Sequence, residues 1–60
     1  MEEYLHKEDL AKIFGFGRDK MKRFLDSGIL PVVKINKDYM ITKTQLEKWF
    51  QQNAGKPILF

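Results

Sequence analysis

The side chains best suited to chemistry in this chain form one short cationic run. Four cations and one carboxylate fall within six positions: Arg18, Asp19, Lys20, Lys22 and Arg23. Guanidinium and ammonium groups at this density suit a polyanionic partner such as duplex DNA. Within the same run, Met21, Phe24 and Leu25 have the i, i+3, i+4 spacing of an inward helix face. The run therefore predicts an amphipathic helix with a basic outer surface.

The charged residues of this helix differ in what they can recognise. Arg18 and Arg23 are candidates for reading bases, because guanidinium can bind guanine through two hydrogen bonds. Lys20 and Lys22 are candidate phosphate contacts, which position a protein without specifying sequence. For Asp19 two roles stay open: it could accept a hydrogen bond from cytosine, or it could reduce the local positive charge by pairing with a neighbouring cation such as Arg23. A solvated basic surface with no partner is the alternative for the whole run.

Two short helices separated by a glycine-containing turn are expected to position these side chains. The first is predicted over residues 7–14, with Gly15 ending it in the left-handed conformation. The second is capped by Gly17, runs to about Asp26 and ends at Gly28. Phe16 fills the turn as an apolar plug. This order is typical of a helix-turn-helix, whose second helix enters the major groove of DNA.

A β-hairpin is predicted after the second helix and would form a wing. Its strands are residues 32–35 and 39–42, joined by a three-residue loop over residues 36–38. The polar side chains expected to contact phosphate or a minor groove are Lys34, Asn36, Lys37 and, at the base of the hairpin, Lys43. An ordinary surface turn is the alternative, since Asn-Lys-Asp is favourable turn chemistry without any partner.

A third helix is predicted to complete the domain. The segment from Thr42 to Gln45 fits a capping box, and the helix runs to about Gln52. Its inward face is expected to carry Leu46, Trp49 and Phe50. We expect a DNA-binding domain over residues 1–53 and a short tail over residues 54–60. The apolar end of that tail, residues 58–60, is expected to pack on its own domain or to be disordered; cooperative binding through it, or a contact with an integrase, is the alternative.

Composition limits the function classes. The 60 residues carry a net charge of +3, with −3 on residues 1–10 and +5 on residues 11–43, so the middle of the chain is basic. Cysteine is absent, and His6 alone cannot form a metal site; we expect it to cap the first helix or to face solvent. No nucleophile and base occur together, so we expect neither an enzyme nor a cofactor. No apolar run approaches the roughly 20 residues of a membrane span, and we expect a cytoplasmic protein.

Taken in order, these residues resemble the excisionase-family winged helix-turn-helix, a small relative of the MerR-type DNA-binding domain. The resemblance covers about residues 4–50 and is carried by Tyr4-Leu5, Glu8, Leu10-Ala11, Phe14-Gly15, Arg23, Gly28, Leu30-Pro31, Lys34-Ile35, Tyr39, Ile41, Leu46 and Trp49. It implies a small α+β fold: a helix-turn-helix, a two-stranded antiparallel wing and a C-terminal helix. It also implies that the second helix enters the major groove while the wing contacts flanking backbone or the minor groove.

The sequence departs from the pattern of this family at four positions. Gly17 replaces a serine or threonine cap, and Lys20 stands where threonine is frequent. Asn36 replaces a common wing glycine, although asparagine tolerates the same backbone conformation. Met40 stands where arginine is common, so one expected wing cation is missing.

The resemblance to the excisionase family implies that this protein is a recombination directionality factor of a phage or mobile element and acts at the bacterial nucleoid. Such a protein binds and bends DNA near an attachment site, with an integrase and further copies of itself as possible partners. A small transcriptional regulator and a phage packaging module of the terminase small-subunit type are alternatives. A protein-interaction module that does not bind DNA is an alternative of another class.

Overall fold

A computed structural model describes residues 3–60, which contain three helices and one three-stranded sheet. In chain order the elements are β1 (Tyr4–His6), α1 (Lys7–Phe14), α2 (Arg18–Asp26), β2 (Val33–Ile35), β3 (Asp38–Thr42) and α3 (Lys43–Gln52). Met1 and Glu2 lie outside the described residues. The expected α+β winged helix-turn-helix is confirmed.

Local hydrogen bonds define both ends of α1. The backbone N–H of His6 donates to Asp9 Oδ2 at 3.0 Å, which places a carboxylate at the positive end of the helix dipole. At the other end Gly15 has φ of 70°, and its N–H donates to the Ala11 carbonyl at 2.9 Å. Glycine adopts this left-handed conformation without steric cost. The predicted helix over residues 7–14 and its glycine stop are confirmed.

Helix α2 is held by its apolar face. Met21, Phe24 and Leu25 are all buried, as their spacing predicts. Burial of one such side chain contributes about 1.5–3 kcal/mol, so the three together fix the rotation of the helix about its axis. Gly17 caps the helix without a side-chain hydrogen bond, and Gly28 follows it with φ of 78°. With the apolar face turned inward, the charged residues of α2 face outward.

The sheet has β3 at its centre, between β1 and β2. Strands β2 and β3 are antiparallel, and Ile35 lies opposite Asp38. The loop between them therefore contains only Asn36 and Lys37, and the predicted three-residue loop is wrong by one residue. Asp38 belongs to the strand because its backbone joins the ladder.

Strand β1 was not expected from the sequence. Tyr4 lies opposite Thr42 and His6 opposite Met40 in an antiparallel pair. The N–H of Lys43 also donates to the carbonyl of Glu3 at 2.9 Å. The predicted two-stranded antiparallel wing is present, and β1 extends it into a three-stranded sheet. A three-residue strand has too short an alternation to be recognised, and its partner lies far along the chain.

Helix α3 begins where the capping pattern predicts. Thr42 Oγ1 accepts a hydrogen bond from the N–H of Gln45 at 3.1 Å. Leu46 and Trp49 are buried, and Trp49 Nε1 donates to the carbonyl of Ile29 at 3.2 Å, which ties α3 to the turn after α2. Phe50 packs on the same side, with its ring centre 5.4 Å from that of Phe14 and 5.3 Å from that of Trp49, but it is 46% exposed and lies at the edge of the inward face.

One apolar core unites the elements. It consists of Leu5, Leu10, Met21, Phe24, Leu25, Leu30, Tyr39, Ile41, Leu46 and Trp49. The end of the tail packs on its own domain: Ile58 lies against the core, and the Phe60 ring lies 5.0 Å from the Phe24 ring. Leu59 between them is exposed.

Candidate nucleic-acid interface

A cleft separates α2 from the wing hairpin. Its volume is about 450 Å³, and its lining residues are Lys7, Arg18, Asp19, Lys22, Lys34, Asn36, Lys37 and Tyr39. Five of these side chains are cationic and one is anionic. Like charges at this density repel one another, and a polyanion in the cleft would relieve that repulsion. We call this feature the basic cleft.

The helix wall of the basic cleft follows from residue spacing. Arg18, Lys22 and Asp26 are four residues apart, which places them along one side of α2. Arg18 and Lys22 line the cleft, and Asp26 Oδ1 accepts a hydrogen bond from the hydroxyl of Tyr39 in β3. This side of α2 therefore faces the hairpin.

The wing wall depends on the hairpin turn and its register. Asn36 has φ of 56°, a left-handed conformation that asparagine tolerates better than most residues. It forms the two-residue tip with Lys37, and both side chains are exposed. Behind the tip, Lys34 lies opposite Tyr39 on the neighbouring strand, and its Nζ is 5.5 Å from the centre of the tyrosine ring. The ring thus holds one wing cation over its face.

Tyr39 also belongs to the core, at 5% exposure. The hydrogen bond to Asp26 is the main cause that raises the pKa of its phenol above 10.0, because the carboxylate accepts from the protonated form. The phenol therefore stays a neutral donor at physiological pH.

An acid beside the wing tip is held in place by two hydrogen bonds. Asp38 Oδ2 lies 3.0 Å from His6 Nδ1, and its other oxygen accepts from the N–H of Tyr39 at 2.8 Å. These two hydrogen bonds, together with the nearby charge of Lys7, lower the pKa of Asp38 below 3.8. The His6 side chain therefore bridges to the hairpin, a role not expected from the sequence, and Asp38 does not line the cleft.

The structure separates the remaining predicted contacts from the basic cleft. Lys20 lies on the other flank of α2, with Nζ 4.5 Å from the centre of the Phe16 ring. Arg23 is exposed on the outward face and forms no ion pair with Asp19 among residues 3–60. Lys43 begins α3, and its Nζ lies 3.8 Å from Glu3 Oε2.

Two residues of the cleft were missed by sequence reasoning, Lys7 and Tyr39. Lys7 is the first residue of α1, and only the tertiary fold brings it beside Arg18. Tyr39 lies in the core, and its hydroxyl also reaches α2. The correct hairpin register would have placed it beside Lys34.

Residues 3–60 contain no helix long and apolar enough to cross a membrane. The same residues contain no cluster of three or more histidine or carboxylate side chains that could hold a metal ion.

Comparison with protein families places the chain in one family. The family described as the helix-turn-helix domain matches residues 4–54, which include all three helices and the whole sheet. The chain belongs to this family and is a DNA-binding helix-turn-helix domain. No curated protein and no solved structure matches the chain.

Proposed function

We propose that the basic cleft grips the sugar–phosphate backbone of duplex DNA while the outward face of α2 enters the major groove. This proposal is supported by the lining of the cleft, where cations from α1, α2 and the hairpin meet in one cavity. Cations scattered for solubility alone have no reason to converge from three separate elements. Phosphates spaced along a duplex would accept hydrogen bonds from both walls at once.

The side chains then divide by position. Lys22, Lys34 and Lys37 contact phosphates from the two walls, and Asn36 and Lys7 add contacts at the rim. Arg23 reads a base, because it lies on the outward face away from the cleft. Arg18 borders both surfaces and contacts either a base or a phosphate. Asp19 reduces the local positive charge or accepts a hydrogen bond from cytosine. Lys20 and Lys43 contact flanking phosphates.

Salt dependence tests this proposal most directly. Binding of labelled duplex is measured at several salt concentrations, and log affinity is plotted against log salt. We expect the five cleft cations to contribute about −4.5 to the slope, at about 0.9 per contact, and Lys20 and Lys43 to add about −0.9 each. The absence of salt-sensitive binding at low salt would instead indicate a protein-interaction module.

A charge-matched pair of double variants locates the binding surface. Lys22→Ala/Lys37→Ala removes one cation from each wall of the cleft, whereas Lys12→Ala/Lys48→Ala removes two exposed cations elsewhere. Both variants lower the net charge equally, so a non-specific charge effect weakens both alike. We expect the cleft variant alone to lose about two phosphate contacts from the salt slope. Equal slopes for the two variants would contradict the placement of DNA in the cleft.

We further propose that the chain is of the excisionase type and acts as a recombination directionality factor at the bacterial nucleoid. The ordered resemblance over residues 4–50 supports this role. We expect the chain to bend a duplex bearing an attachment site and, where an integrase gene adjoins its own, to stimulate excision by that integrase. DNA binding and bending without stimulation would favour a transcriptional or packaging role.

A further inference from the structure

We propose that Tyr39 and Asp26 form a strut that sets the opening of the basic cleft and are positioning residues for DNA binding. The inference rests on the proposed function of that cleft. Neither residue needs to touch DNA: the strut acts through the cations that it aligns.

The strut joins the two walls directly. Asp26 is the last residue of α2, and Tyr39 lies in the central strand of the sheet. The tyrosine hydroxyl donates to the aspartate carboxylate across the gap. A hydrogen bond to an ionised acceptor is about twice as strong as a neutral one, and it is directional. Tyr39 is also buried in the core, so its hydroxyl is a fixed point from which α2 is held.

The strut holds the end of α2 that lies farthest from Arg18. Arg18 lies eight residues before Asp26, which at 1.5 Å per residue is about 12 Å along the helix axis. If the Asp26 end is released, α2 can tilt about the buried Met21 and Phe24, about 7 Å along the axis from Arg18, and a tilt of about 10° then displaces Arg18 by about 1 Å. Hydrogen bonds to phosphate tolerate only about 0.5 Å of variation in length, so such a tilt breaks direct contacts.

Tyr39 positions the wing as well. Its ring lies beneath Lys34, with Nζ 5.5 Å from the ring centre, while its hydroxyl holds α2. One side chain therefore fixes a cation on the wing relative to Arg18 and Lys22 on the helix. Replacement by phenylalanine keeps the ring and removes only the hydroxyl, which separates the two contributions.

Tyr39→Phe is the first test, with Tyr4→Phe as its matched control. Tyr4 is 57% exposed and does not line the cleft. We expect Tyr39→Phe to remain folded, because Asp26 is exposed and can be solvated. DNA affinity should fall by about five- to tenfold, and the salt slope should lose about one phosphate contact. A partly unfolded variant would lose affinity without changing the slope, so the slope distinguishes positioning from stability.

Two substitutions of Asp26 test the partner. Asp26→Asn and Asp26→Ala both remove the negative charge, but only asparagine keeps an acceptor for the Tyr39 hydroxyl. We expect Asp26→Asn to keep the unmodified salt slope and Asp26→Ala to lose about one contact, as Tyr39→Phe does. The double variant Tyr39→Phe/Asp26→Ala should be no worse than either single variant, because both remove the same bond.

The outcomes separate the two proposals. If the unmodified chain shows no salt-dependent DNA binding, the proposed function fails. If it binds and Tyr39→Phe binds with equal affinity and slope, only the strut is overturned. A loss confined to Tyr39→Phe, with Asp26→Ala unaffected, also overturns the strut, because it would mean that the hydroxyl contacts phosphate itself.

Discussion

Helix α2 contributes to two cavities of opposite chemistry. The basic cleft of about 450 Å³ is lined mainly by exposed cations. A second cavity of about 310 Å³ is lined mainly by the rings of the aromatic cluster, which consists of Phe14, Phe16, Phe24, Trp49, Phe50 and Phe60. The rings of the aromatic cluster pack against one another and stabilise the fold. The cations of the cleft repel one another and do not stabilise the fold unless an anionic partner is bound. The stabilising cluster and the proposed DNA-binding surface thus lie on different sides of one helix, and substitutions should separate their effects.

The largest expected effect is on the aromatic cluster. Phe24 is 1% exposed and its ring lies within 6.0 Å of four others in the cluster. Phe24→Ala should lower the free energy of unfolding by about 3–5 kcal/mol, which is comparable to the entire stability expected of so small a domain. Circular dichroism with urea titration measures it, and the half-exposed Phe50→Ala should cost clearly less. Equal midpoints for the two variants would show that Phe24 does not organise the cluster.

The next effect should appear on the DNA-binding side alone. Arg23→Ala should weaken binding to the cognate site by about 1–3 kcal/mol and relax specificity at one base pair. Its urea midpoint should stay close to that of the unmodified chain, because the side chain is exposed. Competition binding against single-base variants of the site provides the measurement. A uniform loss across all sequences would reassign Arg23 to a phosphate.

A smaller and sequence-independent effect is expected at the wing tip. Lys37→Ala should weaken binding to every duplex alike and reduce the salt slope by about 0.9, the value for one phosphate contact. Lys48→Ala on α3 is the matched control, since it removes the same charge away from the cleft. Retention of the full slope by Lys37→Ala would argue that the wing tip does not reach the backbone.

The smallest expected effect is a shift in titration without DNA. Tyr4→Phe leaves Tyr39 as the only tyrosine, and ultraviolet absorbance should show its phenol ionising above pH 10.0. Because the folded-state pKa is raised, the Asp26 hydrogen bond stabilises the fold below pH 10.0, and this contribution is lost as pH rises through the raised value. Adding Asp26→Ala should move the midpoint back toward 10.0. A midpoint already at 10.0 before that change would contradict the bond.

The aromatic cluster and the cleft also differ in how far the sequence predicts them. Helix boundaries and the burial of Phe24 follow from local signals, namely the apolar spacing and the flanking glycines. The makeup of the cleft depends instead on pairing between distant segments. A loop of three residues would pair Ile35 with Tyr39, whereas the actual loop of two pairs Lys34 with Tyr39. A shift of one residue reverses which side chains share a face of the sheet.

The cations of the cleft were therefore only partly predictable. Arg18 and Lys22 were assigned to DNA because they lie on a basic helix, and both line the cleft. Lys20 lies in the same basic run as Arg18 and Lys22, but its side chain lies over Phe16 and not in the cleft. The buried face of α2 sets the rotation of the helix and so decides which cations face the hairpin. Lys7 was overlooked, since nothing local distinguishes it from other lysines at a helix start.

The central position of β3 determines which part of the wing is braced by the rest of the domain. One side of β3 is paired along β1, which leads directly into α1, while β2 lies at the edge of the sheet and the Asn36–Lys37 tip projects beyond the strands. Strand β1 pairs only with residues 40–42, so it braces the base of the hairpin, whereas residues 38 and 39 next to the tip pair with β2 alone. Under load at its tip, the wing would therefore flex near residues 36–39 while its base stays in place.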